Sequence, residues 1–325
     1  MTLAIVILNW NGKKLLEQFL PSVVRYSPEG QLYIVDNAST DDSLDFVRTH
    51  FPGIHLVENP TNSGYAGGYN RALQHIKADV YCLLNSDVLV TEDWLSPILR
   101  TFEEERIAVV QPKIKDEKRR TYFEYAGAAG GFIDRYGFPY CRGRVFETIE
   151  EDKGQYNEPS PVPIFWASGA CFFIRTEVFH QLGGFDEDFF AHQEEIDLCW
   201  RVHHLGKQVV YCSESTVYHV GGATLTTANP KKTYLNFRNS LFMLLKNLPA
   251  KGLYTTIFLR MVLDGIAGVR FLLQGKPRFT WEVIRAHFHF YKRFFFFKKK
   301  RPSKLITNYY QVKSIVWEHF VLGKK

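Results

Sequence analysis

The chain has 325 residues, 46% of them hydrophobic and 15% aromatic, and a formal net charge of +6. This composition is ample for a packed core and excludes an intrinsically disordered chain, while the length allows one large domain or two small ones. From Pro230 onward, 20 Lys and Arg accompany only three Asp and Glu, a net charge of +17, whereas the preceding part carries −11. The asymmetry predicts an anionic partner for the C-terminal part.

The five cysteines favour a reducing compartment. None forms a C-x-x-C pair and most lie in apolar runs, so we expect small buried side chains instead of disulfides or a zinc site. Residues 3–8 are apolar, but this run is too short for a signal-peptide core and lacks a basic leader. These features predict a cytoplasmic protein.

Short apolar runs alternate with helical patterns in the first 110 residues. Strands are predicted at 3–8, 32–35, 54–57, 80–84 and 107–110, and helices ending near residues 24, 50, 76 and 105. This alternation predicts an α/β domain with a mostly parallel sheet.

The periodicity is weaker in the middle of the chain. Residues 113–163 show no clear period, and their basic side chains are predicted to lie in a solvated loop; these are Lys113, Lys115, Lys118, Arg119 and Arg120. Further strands are predicted at 171–174 and 208–212, with a short helix from Thr176.

Polar side chains follow four of the predicted strands. They are Asn9, Asp36, Asn62 and the pair Asn85 and Asp87. Because ligands bind at the carboxyl ends of strands in such sheets, these residues are expected to converge on one site. Ordinary turn formation by Asn and Asp explains any one of them, but explains all four together less well.

Two further patterns suit a phosphate ligand and a cation. Asn85 and Asp87 place two oxygen donors at one strand end, which suits Mg²⁺ or Mn²⁺. His219 is either an additional ligand or a structural histidine. The glycine-rich turn at residues 62–70 does not have the G-x-G-x-x-G spacing, so it is either a backbone cradle for phosphate or simply a tight connection.

The stretch at residues 183–201 combines six carboxylates with three phenylalanines and a tryptophan. Carboxylates beside aromatic walls are partly desolvated, which tunes acids and bases, although a solvated acidic loop is the alternative. Glu194 and Glu195 fall at a predicted helix start. Asp197 and Arg201 are spaced to pair on that helix, and the acids at 186–188 are expected to be turn residues.

The C-terminal hundred residues are basic and amphipathic. Charged residues interrupt their apolar segments, so no stretch approaches the roughly 20 residues of a spanning helix. Four phenylalanines at 294–297 are bracketed by basic residues at 292–293 and 298–301. This pattern favours an anionic membrane surface over nucleic acid; a helical appendage packed on the main domain is the alternative.

Together these motifs resemble the family 2 glycosyltransferases, particularly the bacterial rhamnosyltransferase-like branch. The resemblance spans residues 3–222 and is carried by VILNWNG (6–12), VDNASTDDS (35–43), NSGYAGGYN (62–70), LNSDV (84–88), SGA (168–170), the 183–201 stretch and HVGG (219–222). It implies a GT-A fold, a Rossmann-like α/β sheet with helices on both faces, over residues 1–225. Residues 226–325 would form a basic helical extension at the membrane surface.

The resemblance also implies roles for individual residues. Glu195 would be the catalytic base, and Asp87 with His219 would hold the divalent cation. Donor-binding residues would be Asn9, Asp36, Asn37, Asn62, Gly64, Gly67, Asn70, Asn85 and Ser86, and acceptor-binding residues would be Ser168, Gly169 and Glu194. The sequence departs from the family pattern twice, since Asn85 replaces the first acid of an Asp-x-Asp motif and Glu195 replaces an aspartate.

The leading hypothesis is therefore an inverting, metal-dependent hexosyltransferase that is peripheral on the inner face of the cell membrane. It would use a nucleoside-diphosphate sugar, with dTDP-rhamnose as the donor that the resemblance offers, and a saccharide or lipid-linked acceptor in bacterial surface polysaccharide synthesis. The alternatives are a non-catalytic sugar-nucleotide or glycan-binding protein on the same fold, and a nucleotidyltransferase that releases pyrophosphate.

Overall fold

The computed structural model describes residues 1–221 and 229–323. The strands are β1 Leu3–Asn9, β2 Gly30–Asp36, β3 His55–Glu58, β4 Val80–Asn85, β5 Val88–Val90, β6 Ile107–Asp116, β7 Gly131–Ile133, β8 Pro139–Cys141, β9 Arg144–Val145, β10 Thr148–Ile149, β11 Val162–Pro163, β12 Cys171–Arg175 and β13 Gln208–His219. The helices are α1 Lys13–Tyr26, α2 Ser43–His50, α3 Gly64–Leu73, α4 Ser96–Thr101, α5 Thr176–Gln181, α6 Glu194–His204, α7 Pro230–Asn247, α8 Leu253–Leu273, α9 Pro277–Lys299 and α10 Ile315–Phe320. A 3₁₀ turn spans Glu187–Phe189.

A nine-stranded sheet organises the chain, in the order β11-β13-β6-β12-β4-β1-β2-β3 with β5 paired to β13. Strands β4, β1, β2 and β3 run parallel to one another, as do β6 and β13, whereas β11 and β5 are antiparallel to β13. Strand β12 is antiparallel to both β4 and β6. The predicted α/β fold is confirmed, with β12 joining two parallel blocks into one mixed sheet.

Alternation along β1 explains why helices cover both faces of this sheet. Leu3, Ile5 and Ile7 pack with the apolar sides of α1 and α2, whereas Ala4 and Val6 pack with those of α3, α5 and α6. Successive side chains of a strand point to opposite faces, so a continuous apolar run needs a helical layer on each side.

The middle of the chain differs from the prediction. Strand β6 continues to Asp116, and Lys113 and Lys115 lie within it with their amines 3.4 and 3.0 Å from the carboxylate of Asp152. The prediction of a solvated loop is therefore wrong for these two lysines. A local periodicity cannot reveal a charge that is buried against a partner almost 40 residues away. Strands β7–β10 form a second, four-stranded antiparallel sheet.

The C-terminal helices pack against the main domain. The rings of Phe242 on α7 and Phe297 on α9 stack with their centroids 3.7 Å apart, and Phe189 contacts Phe297 edge to face. Within the described ranges, 1–221 and 229–323, no helix is both long and apolar enough to cross a membrane. The predicted boundary at residues 225/226 lies outside the described residues, as does Gly222 of the HVGG motif.

Candidate active site

Asn9 and Asp36 lie side by side at the carboxyl edge of the sheet. They are register partners at the ends of β1 and β2, and Asn9 Nδ2 donates to Asp36 Oδ1 at 3.0 Å. The backbone amide of Ser39 donates to the other carboxylate oxygen at 2.8 Å. Both side chains are buried, and Asn9 Oδ1 has no hydrogen-bond partner.

The glycine-rich turn is tied to the same edge by amide side chains. Asn37 Nδ2 donates to Asn62 Oδ1 at 3.0 Å and to the Gly64 carbonyl at 3.1 Å. Asn62 Oδ1 also accepts from the Gly64 amide at 3.0 Å. The structure therefore brings Asn37, Asn62 and Gly64 together at the start of α3.

Of the remaining residues predicted to bind the donor, Asn70 and Gly67 belong to this turn, whereas Ser86 follows β4. Asn70 binds the backbone of Phe185, donating to its carbonyl at 2.8 Å and accepting from its amide at 2.9 Å. Gly67 lies against Ser63, close enough that a Cβ would be 2.7 Å from the Ser63 side chain. Ser86 is partly exposed beside Gly12. Asn70 thus fastens the acidic stretch to α3.

Asp87, His219 and Asn85 meet where β4 and β13 end. His219 Nε2 lies 3.1 Å from Asp87 Oδ1 and 3.4 Å from Asn85 Nδ2. Burial opposes ionisation of Asp87, but the hydrogen bond and charge of His219 outweigh it and lower the pKa of this carboxyl. Glu124 lies 3.4 Å from His219 Nδ1, a contact that the sequence did not predict.

The pKa of His219 is raised to about 10, because the Glu124 and Asp87 carboxylates outweigh the effect of burial. Within residues 1–221 and 229–323, no group of three His, Cys, Asp or Glu side chains is arranged to hold a metal. The pair Asp87 and His219 supplies one carboxylate and one imidazole in a buried position. That donor set can hold a divalent cation once His219 has lost its proton, with the remaining ligands coming from substrate phosphate and water.

A strained turn leads into α6. Phe190, His192 and Gln193 all have positive φ, at 66, 70 and 74°. Such conformations cost of order 1–3 kcal/mol each and cluster at functional sites. Gln193 immediately precedes Glu194, the first residue of α6. The turn thus sets the direction in which the first helical side chains point.

Glu194 and Glu195 are two adjacent carboxyls with perturbed titration. One oxygen of each, Oε2, is buried without a hydrogen-bond partner. Burial raises the pKa of Glu195 to about 7. Burial, and then the charge of Glu195, raise the pKa of Glu194 well above its ordinary range. Two carboxyls whose pKa values are pushed apart can divide into a proton donor and a proton acceptor near neutral pH.

The predicted acceptor loop adjoins the glycine-rich turn. Tyr65, the second residue of α3, donates its hydroxyl to the Gly169 carbonyl at 2.9 Å. The Ser168 amide donates to Gln111 Oε1 at 2.7 Å, which anchors the loop to β6. Burial raises the pKa of Tyr65, and the charges of Glu194 and Glu195 raise it further. Tyr65 therefore links the loop at 168–169 to the paired carboxyls.

The other acids of the 183–201 stretch have structural partners. Asp197 binds Arg201 Nε at 2.9 Å, as predicted, and also Lys246 Nζ at 2.8 Å. Asp186 accepts from Lys246 and Lys300, and its neighbour Asp188 accepts from Lys300. The expectation that Asp186 and Asp188 are ordinary turn residues is incomplete, since they anchor the C-terminal helices.

The mixed α/β sheet, with helices on both faces and polar turns at its carboxyl edge, is a GT-A fold. Residues 4–183 match the family described as Glycosyl transferase family 2. The chain belongs to this family.

Known relatives agree with this assignment. The low-salt glycan biosynthesis hexosyltransferase Agl10 of Haloferax volcanii is 23% identical over 297 residues, which cover 88% of this chain and 90% of the relative. The N-acetylglucosaminyl-diphospho-decaprenol L-rhamnosyltransferase of Mycobacterium tuberculosis is 25% identical over 233 residues, 67% of this chain and 75% of the relative. GalNAc-T7, solved with UDP, GalNAc and Mn²⁺, superimposes with a TM-score of 0.60 at 16% identity, over 77% of this chain and 48% of its own.

Proposed function

We propose that this protein transfers a sugar, with inversion at the anomeric carbon, from a nucleoside-diphosphate sugar to a saccharide or lipid-linked acceptor in the synthesis of a bacterial surface polysaccharide. The observation that carries the proposal is Glu195, a carboxyl at the start of α6 whose pKa is raised to about 7 and whose Oε2 is buried and unpartnered. A group that titrates near the working pH is suited to general base catalysis.

In this mechanism Glu195 accepts the proton of the acceptor hydroxyl as that oxygen attacks the anomeric carbon. The new glycosidic bond forms as the bond to the diphosphate oxygen breaks, and the nucleoside diphosphate leaves with the electron pair. Burial, and then the charge of Glu195, raise the pKa of Glu194 well above its ordinary range, which favours the protonated form of Glu194 beside an ionised Glu195.

The donor would bind along the carboxyl edge of the sheet. The Asp36 carboxylate, held by Asn9 Nδ2 and the Ser39 amide, would accept the N–H of a pyrimidine ring such as the thymine of dTDP-rhamnose. The diphosphate would lie beside Asp87 and His219, because the first amides of α3 already donate to Asn62 and Phe190. Asp87 and His219 would hold Mg²⁺ or Mn²⁺, which when bound offsets the negative charge of the leaving diphosphate.

The outer face of the C-terminal helices supports contact with an anionic membrane. A stripe on α8 exposes Phe258, Val262, Ile266, Val269 and Leu273, whose exposed fractions are 65, 46, 61, 57 and 84%. On α9, Phe295 is 74% exposed, whereas Phe297 is buried in the helix layer. Exposed basic residues flank these side chains, among them Arg270, Lys298 and Lys299.

Apolar side chains bordered by cations suit the headgroup zone of an anionic leaflet. We propose that this face rests on the cytoplasmic leaflet and thereby gives the site access to a lipid-linked acceptor. Flotation with vesicles of phosphatidylglycerol or phosphatidylcholine tests this. Binding should require the anionic lipid and should be lost in the double variant Phe258→Glu with Ile266→Glu. The control variant Val24→Glu, which changes an exposed residue on α1, should still bind. Equal binding of both variants would exclude this face.

Transfer itself is tested with a panel of nucleoside-diphosphate sugars. The donor that most raises the melting temperature in the presence of Mn²⁺ is incubated with a lipid-linked saccharide, and the anomeric configuration of the product is determined by NMR. Release of nucleoside diphosphate together with an inverted linkage is expected. Donor binding without release would instead favour a binding protein, and release of pyrophosphate a nucleotidyltransferase.

A further inference from the structure

The strained turn before α6 is held from outside by α7. Asn239 is fully buried, and its Nδ2 lies within hydrogen-bonding distance of three backbone carbonyl oxygens, those of Phe189 at 3.0 Å, Ala191 at 2.9 Å and His192 at 2.7 Å. Since buried carbonyls need donors, this one side chain serves most of the turn.

The neighbouring Arg238 extends the same contact. Its Nη2 donates to the carbonyls of Asp188 at 3.0 Å and Phe189 at 3.1 Å. Side-chain ion pairs reinforce it, because Lys300 Nζ lies 2.6 and 2.7 Å from the carboxylates of Asp186 and Asp188. Both the backbone and the side chains of the turn are therefore held by residues from the C-terminal helices.

The turn needs such support because its backbone is strained. Phe190, His192 and Gln193 adopt positive φ without being glycine, a conformation that persists only where the surrounding structure holds it. Without donors for its carbonyls the turn would relax, and the first turn of α6 would move with it. A displacement of about 1 Å in a reacting group can cost on the order of 100-fold in rate.

We propose that Asn239 is a positioning residue for the catalytic base: by holding the carbonyls of residues 189, 191 and 192, it fixes the first turn of α6 and thereby the direction of the Glu195 carboxylate. The proposal rests on the proposed function, since it assigns Asn239 a part in the reaction that Glu195 performs. It makes α7 part of the catalytic unit.

The test compares Asn239→Ala with Arg301→Ala. Arg301 also donates to backbone carbonyls, those of Leu245 and Leu248, but at the far end of α7. Asn239→Ala should lower kcat at least tenfold, leave the donor KM within about twofold, and displace the pH at which kcat is half-maximal. Arg301→Ala should keep kcat and its pH profile within twofold.

A folded Asn239→Ala protein with unchanged kcat and pH profile overturns the proposal. So does an equal loss of kcat in Arg301→Ala, since that would indicate a general loss of stability. If Asn239→Ala does not fold, Arg238→Gln is judged by the same criteria, because it removes two donors from the same turn.

A readout that does not depend on turnover separates this proposal from the proposed function. The Glu195 carboxyl is titrated by NMR with ¹³C-labelled glutamate, and its signal is assigned by its loss in Glu195→Gln. In Asn239→Ala its pKa should fall toward the ordinary value of glutamate, because loosening of the turn admits water. An unchanged titration of Glu195 in Asn239→Ala overturns the positioning role. If the titration changes but the wild-type protein transfers no sugar, Asn239 still positions the Glu195 carboxyl, and it is the proposed function that is overturned.

Discussion

The backbone amide of Tyr65 donates to the carbonyl oxygen of Phe190 at 2.9 Å. Tyr65 belongs to the glycine-rich turn at the start of α3, and Phe190 to the strained turn that leads to Glu195. The bond joins the predicted donor site to the predicted base across 125 residues of sequence. The two turns are therefore in direct contact, and a change in the conformation of either should alter the other.

Gly64 makes this contact possible. Its φ is +74°, and a Cβ there would lie 2.5 Å from the Phe190 carbonyl oxygen. Gly64→Ala should therefore destabilise the protein by about 2 kcal/mol or more and weaken both donor binding and transfer. Urea unfolding measures the first effect and calorimetry the second. Gly53→Ala is the matched control, because a Cβ at Gly53 meets no atom within 4 Å; equal losses in both variants would contradict the steric explanation.

Glu195→Gln removes the proposed base but keeps the shape of the side chain. General base catalysis contributes roughly 10²–10⁴-fold, so kcat should fall by that factor while the affinity for the donor is retained. Steady-state kinetics and isothermal titration with the donor measure the two quantities. Turnover within tenfold of the wild type would remove Glu195 from the role.

The rate should depend on pH through the same carboxyl. Burial raises the pKa of Glu195 to about 7, and only the ionised form can accept a proton. Below that pH kcat should fall about tenfold per pH unit, and above it kcat should level off. A profile that is flat between pH 5 and 8, measured with saturating donor and metal, would contradict this assignment.

The free energy of unfolding should fall as the pH rises, whereas the rate of transfer should increase. The folded-state pKa of Glu194 is raised by burial, so this residue favours the folded state below its ordinary pKa, and that contribution is progressively lost as the pH rises toward the folded value. Glu194→Gln should therefore stabilise the protein at pH 8 by on the order of 1 kcal/mol or more, and much less at pH 5. Thermal unfolding at both pH values measures this difference; the same gain at both would argue against a buried ionisable group.

Asp87→Asn tests the proposed cation site. Mn²⁺ should raise the melting temperature of the wild type in the presence of a nucleoside diphosphate, and the variant should lose this response. Its kcat/KM should fall by at least about 100-fold, because loss of a residue that only hydrogen-bonds to a metal ligand typically costs about 10- to 100-fold. Asp45→Asn serves as the control, because that carboxylate is 80% exposed. A variant that responds to Mn²⁺ like the control would exclude Asp87 as a ligand.

The order of the helices and strands, and the position of the polar residues at the carboxyl ends of the strands, follow from the sequence alone. Asn9, Asp36 and Asn85 end three adjacent strands in the structure, as their positions after apolar runs predicted. Such features are local, because a run of β-branched residues and the polar turn after it are legible within about ten residues. The sheet topology then brings the strand ends together.

The burial of particular charges, and the contacts that hold the proposed base, follow from the packing of distant segments and not from any local pattern. Lys246 contacts Asp186 and Asp197, and Asn239 holds the carbonyls before Glu194, although α7 begins some 35 residues beyond them. Glu124 faces His219 in the same way. These contacts form between segments that carry no common pattern, since they depend on how whole helices and strands pack, and the packing is set by the combined apolar surfaces of the chain.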